Sequence, residues 1–246
     1  MKFFKLFLLL ASSIANGADY YGAEVYSKDK VRYGKFEFSM KTSFASGTLS
    51  TFFLYDDLSW QGDHLPWAEI DLEILQKEKD FLQTNLITGT VSNRNMSEEF
   101  HRFHSKLNED FHVYTIEWLP HEIAWYIDGQ LIRKAVGEQV NQIGNSPLSY
   151  RFNHWASHYV EWVGEIDDSK LPVVQKIDWI QYSEFVPGNS KEERFQFLWE
   201  DDFKFFDSNR WSKAYWDFTG SVSQFVPENA FVANGVLHLE LSKNRK

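Results

Sequence analysis

The 246-residue chain contains no cysteine. That absence excludes a disulfide framework, a zinc–thiolate centre and a cysteine nucleophile. Positive charge is also scarce: 25 Lys and Arg stand against 35 Asp and Glu, a formal charge of −10. So acidic a chain is a poor match for nucleic acid or an anionic membrane, and neither is expected as a partner. Long apolar runs are missing too. The run from Leu6 to Ala11 is too short to cross a bilayer. It follows Lys2 and Lys5 and precedes small residues around Ala15, Gly17 and Ala18. Residues 1–18 therefore read as a secretory signal peptide, which places the mature chain outside the cell. No internal repeat, low-complexity tract or long helical pattern is present in the remainder.

What the chain has in excess is aromatic: 10 Trp, 11 Tyr and 22 Phe. This exceeds the needs of a core and points to a groove lined with flat apolar faces, on which sugar rings stack. The aromatics fall in short alternating stretches such as Tyr33–Lys41, Gly47–Tyr55, Asp80–Thr88 and Val174–Phe185. Asp128-Gly129 between the runs Ile123–Ile127 and Gln130–Arg133 is a strong hairpin signal. Short strands punctuated by turns along the whole chain predict an all-β sandwich. Within it, residues 19–246 are expected to form one domain, with 187–194 (Pro-Gly-Asn-Ser-Lys-Glu-Glu-Arg) as a linker. Residues 92–112 are the least regular part, equally readable as a loop or a short helix over 97–105. His101 and His104 there are expected to be solvated, since no third ligand at suitable spacing invites a metal.

One stretch stands apart. Trp67-Ala68-Glu69-Ile70-Asp71-Leu72-Glu73-Ile74-Leu75 reads as a strand with Ile70, Leu72 and Ile74 on one face and three carboxylates on the other. Acids at alternate positions lie about 6–7 Å apart and repel one another, a cost expected only where the acids are used. An acidic edge strand is the plain alternative, because charged edges deter aggregation. The Trp- and Phe-rich surroundings argue against it. Paired carboxylates are the apparatus of glycoside hydrolysis, with retaining pairs about 5–5.5 Å apart. Glu69 and Glu73 are roughly 13 Å apart at Cα on an ideal strand, so their side chains must lean together on a curved sheet.

Trp-x-Glu-Ile-Asp-x-Glu followed by Ile-Leu resembles the active-site signature of glycoside hydrolase family 16. The uninterrupted Glu-x-Asp-x-Glu is similar to that of its lichenase and xyloglucan-transferase branch. Tyr33-Gly34-Lys35-Phe36-Glu37, Trp118-x-Pro120, Trp125-x-x-Asp128-Gly129-Gln130 and Arg151-Phe152-Asn153-x-Trp155 fit lichenases as well. Segments resembling the usual beginning of a lichenase, Asp202–Trp211 and Gly235–Leu239, come last here, as in circularly permuted 1,3-1,4-β-glucanases.

The resemblance implies a jelly roll of two curved antiparallel sheets around a concave cleft. It also implies Glu69 as nucleophile, Glu73 as acid/base and Asp71 as the assisting carboxylate of a retaining endo-glucanase. Phe53, Tyr55, Trp67, Gln83, Asn85, Asn153, Trp155 and Trp216 match positions that contact sugar in that family. No cofactor is implied for catalysis. A structural calcium is, with Asp178 as side-chain ligand and Asp202 and Gly235 through backbone carbonyls. The implied partner is a β-glucan polysaccharide, with the protein as a monomer. Another linkage specificity, a transglycosylase and a non-catalytic glucan-binding lectin are the alternatives. Asp57, His154 and Val222 depart from the family pattern at positions expected near the subsites.

Overall fold

The computed structural model describes residues 18–188, 190 and 193–243. The signal-peptide reading therefore lies, except for Ala18, outside the described residues, as do positions 189, 191 and 192 of the expected linker. In chain order the strands are β1 (Tyr20–Ser27), β2 (Gly34–Lys41), β3 (Thr48–Tyr55), β4 (Glu69–Leu75), β5 (Phe81–Gly89), β6 (Arg94–Met96), β7 (Glu99–Arg102), β8 (His112–Leu119) and β9 (Glu122–Ile127). They continue with β10 (Gln130–Val136), β11 (Ser149–Ala156), β12 (Val173–Phe185), β13 (Phe195–Asp201), β14 (Trp211–Lys213), β15 (Ser223–Phe225), β16 (Ala230–Ala233) and β17 (Val236–Leu241). Two short helices, α1 (Glu138–Ile143) and α2 (Val160–Val163), fill connections.

The strands form two sheets. One runs β14-β1-β11-β3-β4-β5-β6, with β15 beside β1 and β7 beside β5; the other runs β10-β9-β8-β2-β12-β17-β16, with β13 beside β12. Pairing is antiparallel except between β1 and β15. This is the two-sheet sandwich that the turn-punctuated alternation predicts.

Each sheet buries the inward half of its alternation. Phe36, Phe38 and Met40 meet Phe52, Leu54, Ile70, Leu72, Ile74, Tyr150 and Phe152 in one continuous core. Burying each large side chain of this kind contributes about 1.5–3 kcal/mol, which ties register to burial: a slip by one residue would expose the whole set. The Asp128-Gly129 turn takes φ of 50° and 76°, the left-handed pair that a two-residue hairpin needs, and Gln130 pairs with Ile127 across it.

Two expectations are corrected. Residues 97–105 hold no helix; β7 lies there, paired to β5 as is β6 just before it. A short polar run has little helical drive of its own, and the free edge of β5 supplies backbone partners instead. Nor is His101 simply solvated: it is half-buried and bonds Thr84 Oγ1 at 2.9 Å, while His104 is exposed as expected.

Candidate active site

The floor of the site is built by strand register. Tyr55 faces Glu69, Phe53 faces Asp71 and Thr51 faces Glu73 across β3–β4. On the other side Ile87, Asn85 and Gln83 face the same three acids. Further out, Arg151 pairs with Phe53 and Tyr26, and Asn153 pairs with Thr51 and Glu24. Because side chains alternate, all of these share one face of the nine-stranded sheet, the face away from the core. Eight site residues named from the sequence lie on it: Glu69, Asp71, Glu73, Phe53, Tyr55, Gln83, Asn85 and Asn153. Trp155 shares the same parity on β11.

Each carboxylate has a distinct environment. Glu69 accepts a 2.7 Å bond from the Trp67 indole and Glu73 a 2.8 Å bond from Gln83, whose own carbonyl accepts the Trp162 indole at 2.8 Å. Asp71 is buried between them and hydrogen-bonded to Glu69, and its backbone carbonyl accepts the Trp125 indole at 3.0 Å. Burial raises the Glu69 carboxyl above its ordinary range, opposed by the Trp67 bond, by the Arg94 charge and by the bond from Asp71. Asp71 is pushed well above the carboxylate range by burial and then by the charges of Glu69 and Glu73, so it is the proton donor in its bond to Glu69. Burial, with the charges of Glu69 and Glu98, pushes Glu73 up to about 8. One face thus carries a carboxylate with donors aimed at it and a second carboxyl held protonated near neutral pH. Groups separated in this way are the usual mark of an acid/base assignment.

The flank toward β1 contains residues that the sequence reading did not single out. Arg151 donates to Glu24 at 2.8 Å and to Asp57 at 2.5 Å, and its Nε donates to Ser149 at 2.9 Å. Its guanidinium lies 5.1 Å from the Tyr55 ring centroid, 5.2 Å from Tyr26, and 5.9 Å from both Phe53 and Trp216. Asn153 donates to Glu24 at 3.3 Å, while its Oδ1 and the Thr51 hydroxyl are buried with no protein partner. Polar atoms buried this way beside Glu73 are suited to sugar hydroxyls, since a buried polar group without a hydrogen bond is costly. The signal for Glu24 was faint. A single Glu in an alternating strand looks like any wet-face residue until Arg151 is placed beside it.

The aromatics divide. Trp216 is 37% exposed and packs against Tyr26, with ring centroids 5.2 Å apart, so it offers a free face. Trp67 and Trp155 are only 7% and 6% exposed. Arg94 covers Trp67 at 4.5 Å, and Trp155 packs into a second apolar cluster with Leu49, Leu75, Val163 and Phe225. Phe53 is buried beside Arg151. These three are walls and floor, not open platforms. The loop between β3 and β4 is pinned beside the site: Ser59 bridges Pro66 and Ala68, and Asp63 accepts the Ser92 amide at 2.8 Å.

Of the departures, Asp57 belongs to the cleft, bonded to Arg151, Ser149 and Lys30. His154 does not. Its parity turns it between the sheets, where its Nδ1 meets the Leu49 carbonyl at 2.6 Å and burial pushes it down to about 4, so it stays neutral. Val222 packs in a third apolar cluster with Ala156 and Leu241.

Away from the cleft, β12 pairs Ile177 with Leu237 and Ile180 with Asp201, and its register against β2 slips between Ile177 and Trp179. Continued by one or two residues, the registers with β13 and β17 bring the backbone around Asp178 toward the Asp202 end of β13 and the Gly235 turn. Among the described residues there is no cluster of three or more His, Cys, Asp or Glu able to hold a metal. An ion here would rest on one carboxylate and backbone carbonyls. That oxygen-only donor set suits calcium, with water completing the shell.

A two-sheet sandwich with an acid-floored, aromatic-walled cleft defines a carbohydrate-active β-sandwich. The model of the glycosyl hydrolases family 16 matches residues 9–181, and the chain belongs to that family. A beta-glucanase of Fibrobacter succinogenes is 39% identical over 226 residues, covering 92% of this chain and 64% of that protein. One of Brevibacillus brevis is 32% identical over 178 residues, covering 72% and 65%. The chain thus spans slightly less than two thirds of these relatives. Among solved structures, the Bacillus licheniformis beta-glucanase superposes with a TM-score of 0.55 at 31% identity, over 65% of this chain and 70% of that one. A prokaryotic beta-1,3-1,4-glucanase (lichenase) from a mouse hindgut metagenome does so with a TM-score of 0.55 at 25% identity, over 73% and 94%.

Proposed function

We propose that this chain is a secreted, endo-acting, retaining glycoside hydrolase that cleaves mixed-linked 1,3-1,4-β-glucan, working as a monomeric catalytic domain over residues 19–246. The observation that carries the reading is the division of labour along β4. Glu69 is surrounded by donors from Trp67, Asp71 and the charge of Arg94, whereas Glu73 is held protonated up to about pH 8. Glu69 attacks the anomeric carbon while Glu73 gives its proton to the departing glycosidic oxygen. Water then resolves the glycosyl-enzyme with Glu73 as base. Asp71, protonated between them, stabilises Glu69 and keeps the acids from repelling one another.

Names of relatives, which include beta-glucanases and a lichenase, support the substrate class. The permuted segment order belongs to the same reading. Tyr21 and Ser242 are paired at 2.8 and 2.9 Å, so the ends of the described domain meet and could be joined elsewhere without rebuilding the sandwich. A calcium ion at Asp178, Asp202 and Gly235 would serve stability, remote from the acids.

The test is incubation of residues 19–246 with barley mixed-linked glucan, laminarin and xyloglucan, beside the Glu69→Gln variant. New reducing ends and short oligosaccharides from barley glucan, lost in the variant, are expected. Activity confined to laminarin would reassign the linkage. Transfer products in place of reducing ends would make it a transglycosylase, and binding without products would make it a lectin.

A further inference from the structure

We propose that Phe100, backed by Phe81, is a sugar-stacking platform that binds a glucosyl ring of the glucan at the edge-strand end of the cleft, the end opposite Trp216. The proposal rests on the glucan reading above and extends it to a residue outside the family signature.

Register places the ring. Phe100 pairs with Gln83, Gln83 with Glu73, Glu73 with Thr51, Thr51 with Asn153 and Asn153 with Glu24, one row across five strands and β7 on the cleft face. The neighbours of Phe100 on β7 turn the other way. Glu99 pairs with Thr84 and its carboxylate meets Arg133 at 3.0 Å, and His101 bonds Thr84. The inward face of β7 is therefore accounted for without Phe100, which remains 54% exposed. An apolar ring left on the wet face of an edge strand forgoes its own burial and invites unwanted pairing.

This ring is also held still. Phe100 stacks on Phe81 with centroids 5.6 Å apart and planes 5° from parallel. The Arg102 guanidinium lies 5.3 Å from the Phe81 centroid, and its N–H groups are tied to Asp80 and Glu78. A flat face fixed in orientation before binding loses little freedom when a pyranose settles on it. Two interstrand steps separate Phe100 from Glu73, about 10 Å, so it touches sugar beyond the reacting bond and is a binding residue. Phe197 is comparably exposed but lies on β13 of the other sheet, away from this row.

Binding without turnover is read in the Glu69→Gln background by calorimetric titration with soluble barley β-glucan and with a mixed-linked trisaccharide. Phe100→Ala is expected to weaken binding of the polymer by roughly three- to tenfold, the worth of one aromatic contact. Trisaccharide affinity should stay unchanged, with the short ligand held at the Trp216 end. Phe100→Leu keeps an apolar cover over Phe81 but loses the flat face, and should bind as weakly as Phe100→Ala. Phe100→Trp should restore affinity. Unfolding midpoints of the four proteins exclude a folding defect. Equal polymer affinity in parent and Phe100→Ala overturns the platform, as does full affinity in Phe100→Leu. Reducing-end release by the unaltered chain is measured alongside. Release with equal binding overturns the platform alone; no release with binding weakened in Phe100→Ala overturns hydrolysis and supports the platform; neither release nor binding overturns both.

Discussion

Glu73 is the residue on which chemistry and stability pull in opposite directions. Its carboxyl titrates near 4.5 in the unfolded chain and is pushed up to about 8 in the folded one, so the folded state binds the proton more tightly. The stabilisation from this preference is complete below pH 4.5 and is lost as pH rises toward 8. Glu73→Gln removes the titration. It should raise Tm at pH 7.5, with the gain shrinking toward pH 5, by about 2–4 °C for each kcal/mol recovered. The same variant should lower kcat on glucan by about 10²–10⁴ through loss of the general acid. A Tm that fell equally at both pH values would show that the buried acid is not strained. Glu98 provides a second, finer test. It lies on the cleft face, since Glu99 beside it turns inward to Arg133, and its charge is among the causes that raise Glu73. The groups facing Glu73 are Glu69, Asp71 and Glu98, with Gln83 neutral. Glu98→Gln should move the alkaline limb of the kcat/KM profile from near pH 8 to lower pH and leave the acid limb, set by Glu69, in place.

Strands β1, β3 and β11 together create what none of them carries alone. Arg151 on β11 joins Glu24 on β1 to Asp57 at the end of β3, and burial of Glu24 is tolerable only with that guanidinium beside it. Burial still leaves the Glu24 carboxyl raised, even against Arg151 and Asn153, whereas Asp57 is held below its ordinary range, its burial being outweighed by Ser149, Lys30 and Arg151. Arg151→Met would leave the buried Glu24 with no cation and only the Asn153 amide, while Asp57 keeps Lys30 and Ser149. A loss of about 3–5 kcal/mol is expected, visible as a Tm lower by roughly 10 °C. Arg151→Lys should recover only part of it, because a single ammonium cannot hold Glu24, Asp57 and Ser149 in the planar fork that Arg151 provides. Full recovery by Lys would reduce the cluster to simple charge balance.

The sandwich closes through its ends. β1 pairs with β11, β14 and β15, and Tyr21 bridges to Ser242, so the first and last described strands are stitched into the same structure. The proposed calcium would act at the seam where β12 meets β13 and β17. Calcium in excess should raise Tm and chelation lower it, and Asp178→Asn should abolish the difference while leaving catalysis at saturating substrate unchanged. A Tm indifferent to calcium in the unaltered chain would remove the ion from this fold.

Much of this was legible in the residues themselves. Alternation with period two follows from backbone geometry alone, so the sandwich, the Asp128-Gly129 hairpin and the common face of Glu69, Asp71 and Glu73 could be read before any contact was known. Burial is different, because it depends on which strand lies next. The rings of Trp67 and Trp155 carry the same local pattern as that of Trp216, yet Arg94 covers the first, Val163 and Phe225 enclose the second, and the third stays open. His154 sits between two cleft residues in sequence and turns away from the cleft by parity. Glu24 and Arg151 stand 127 positions apart, and Phe100 lay in a stretch with no clear period. Local geometry can be inferred from neighbours in the chain, but hydrogen-bond partners, carboxyl proton affinities and exposed faces arise only when distant strands are brought into register.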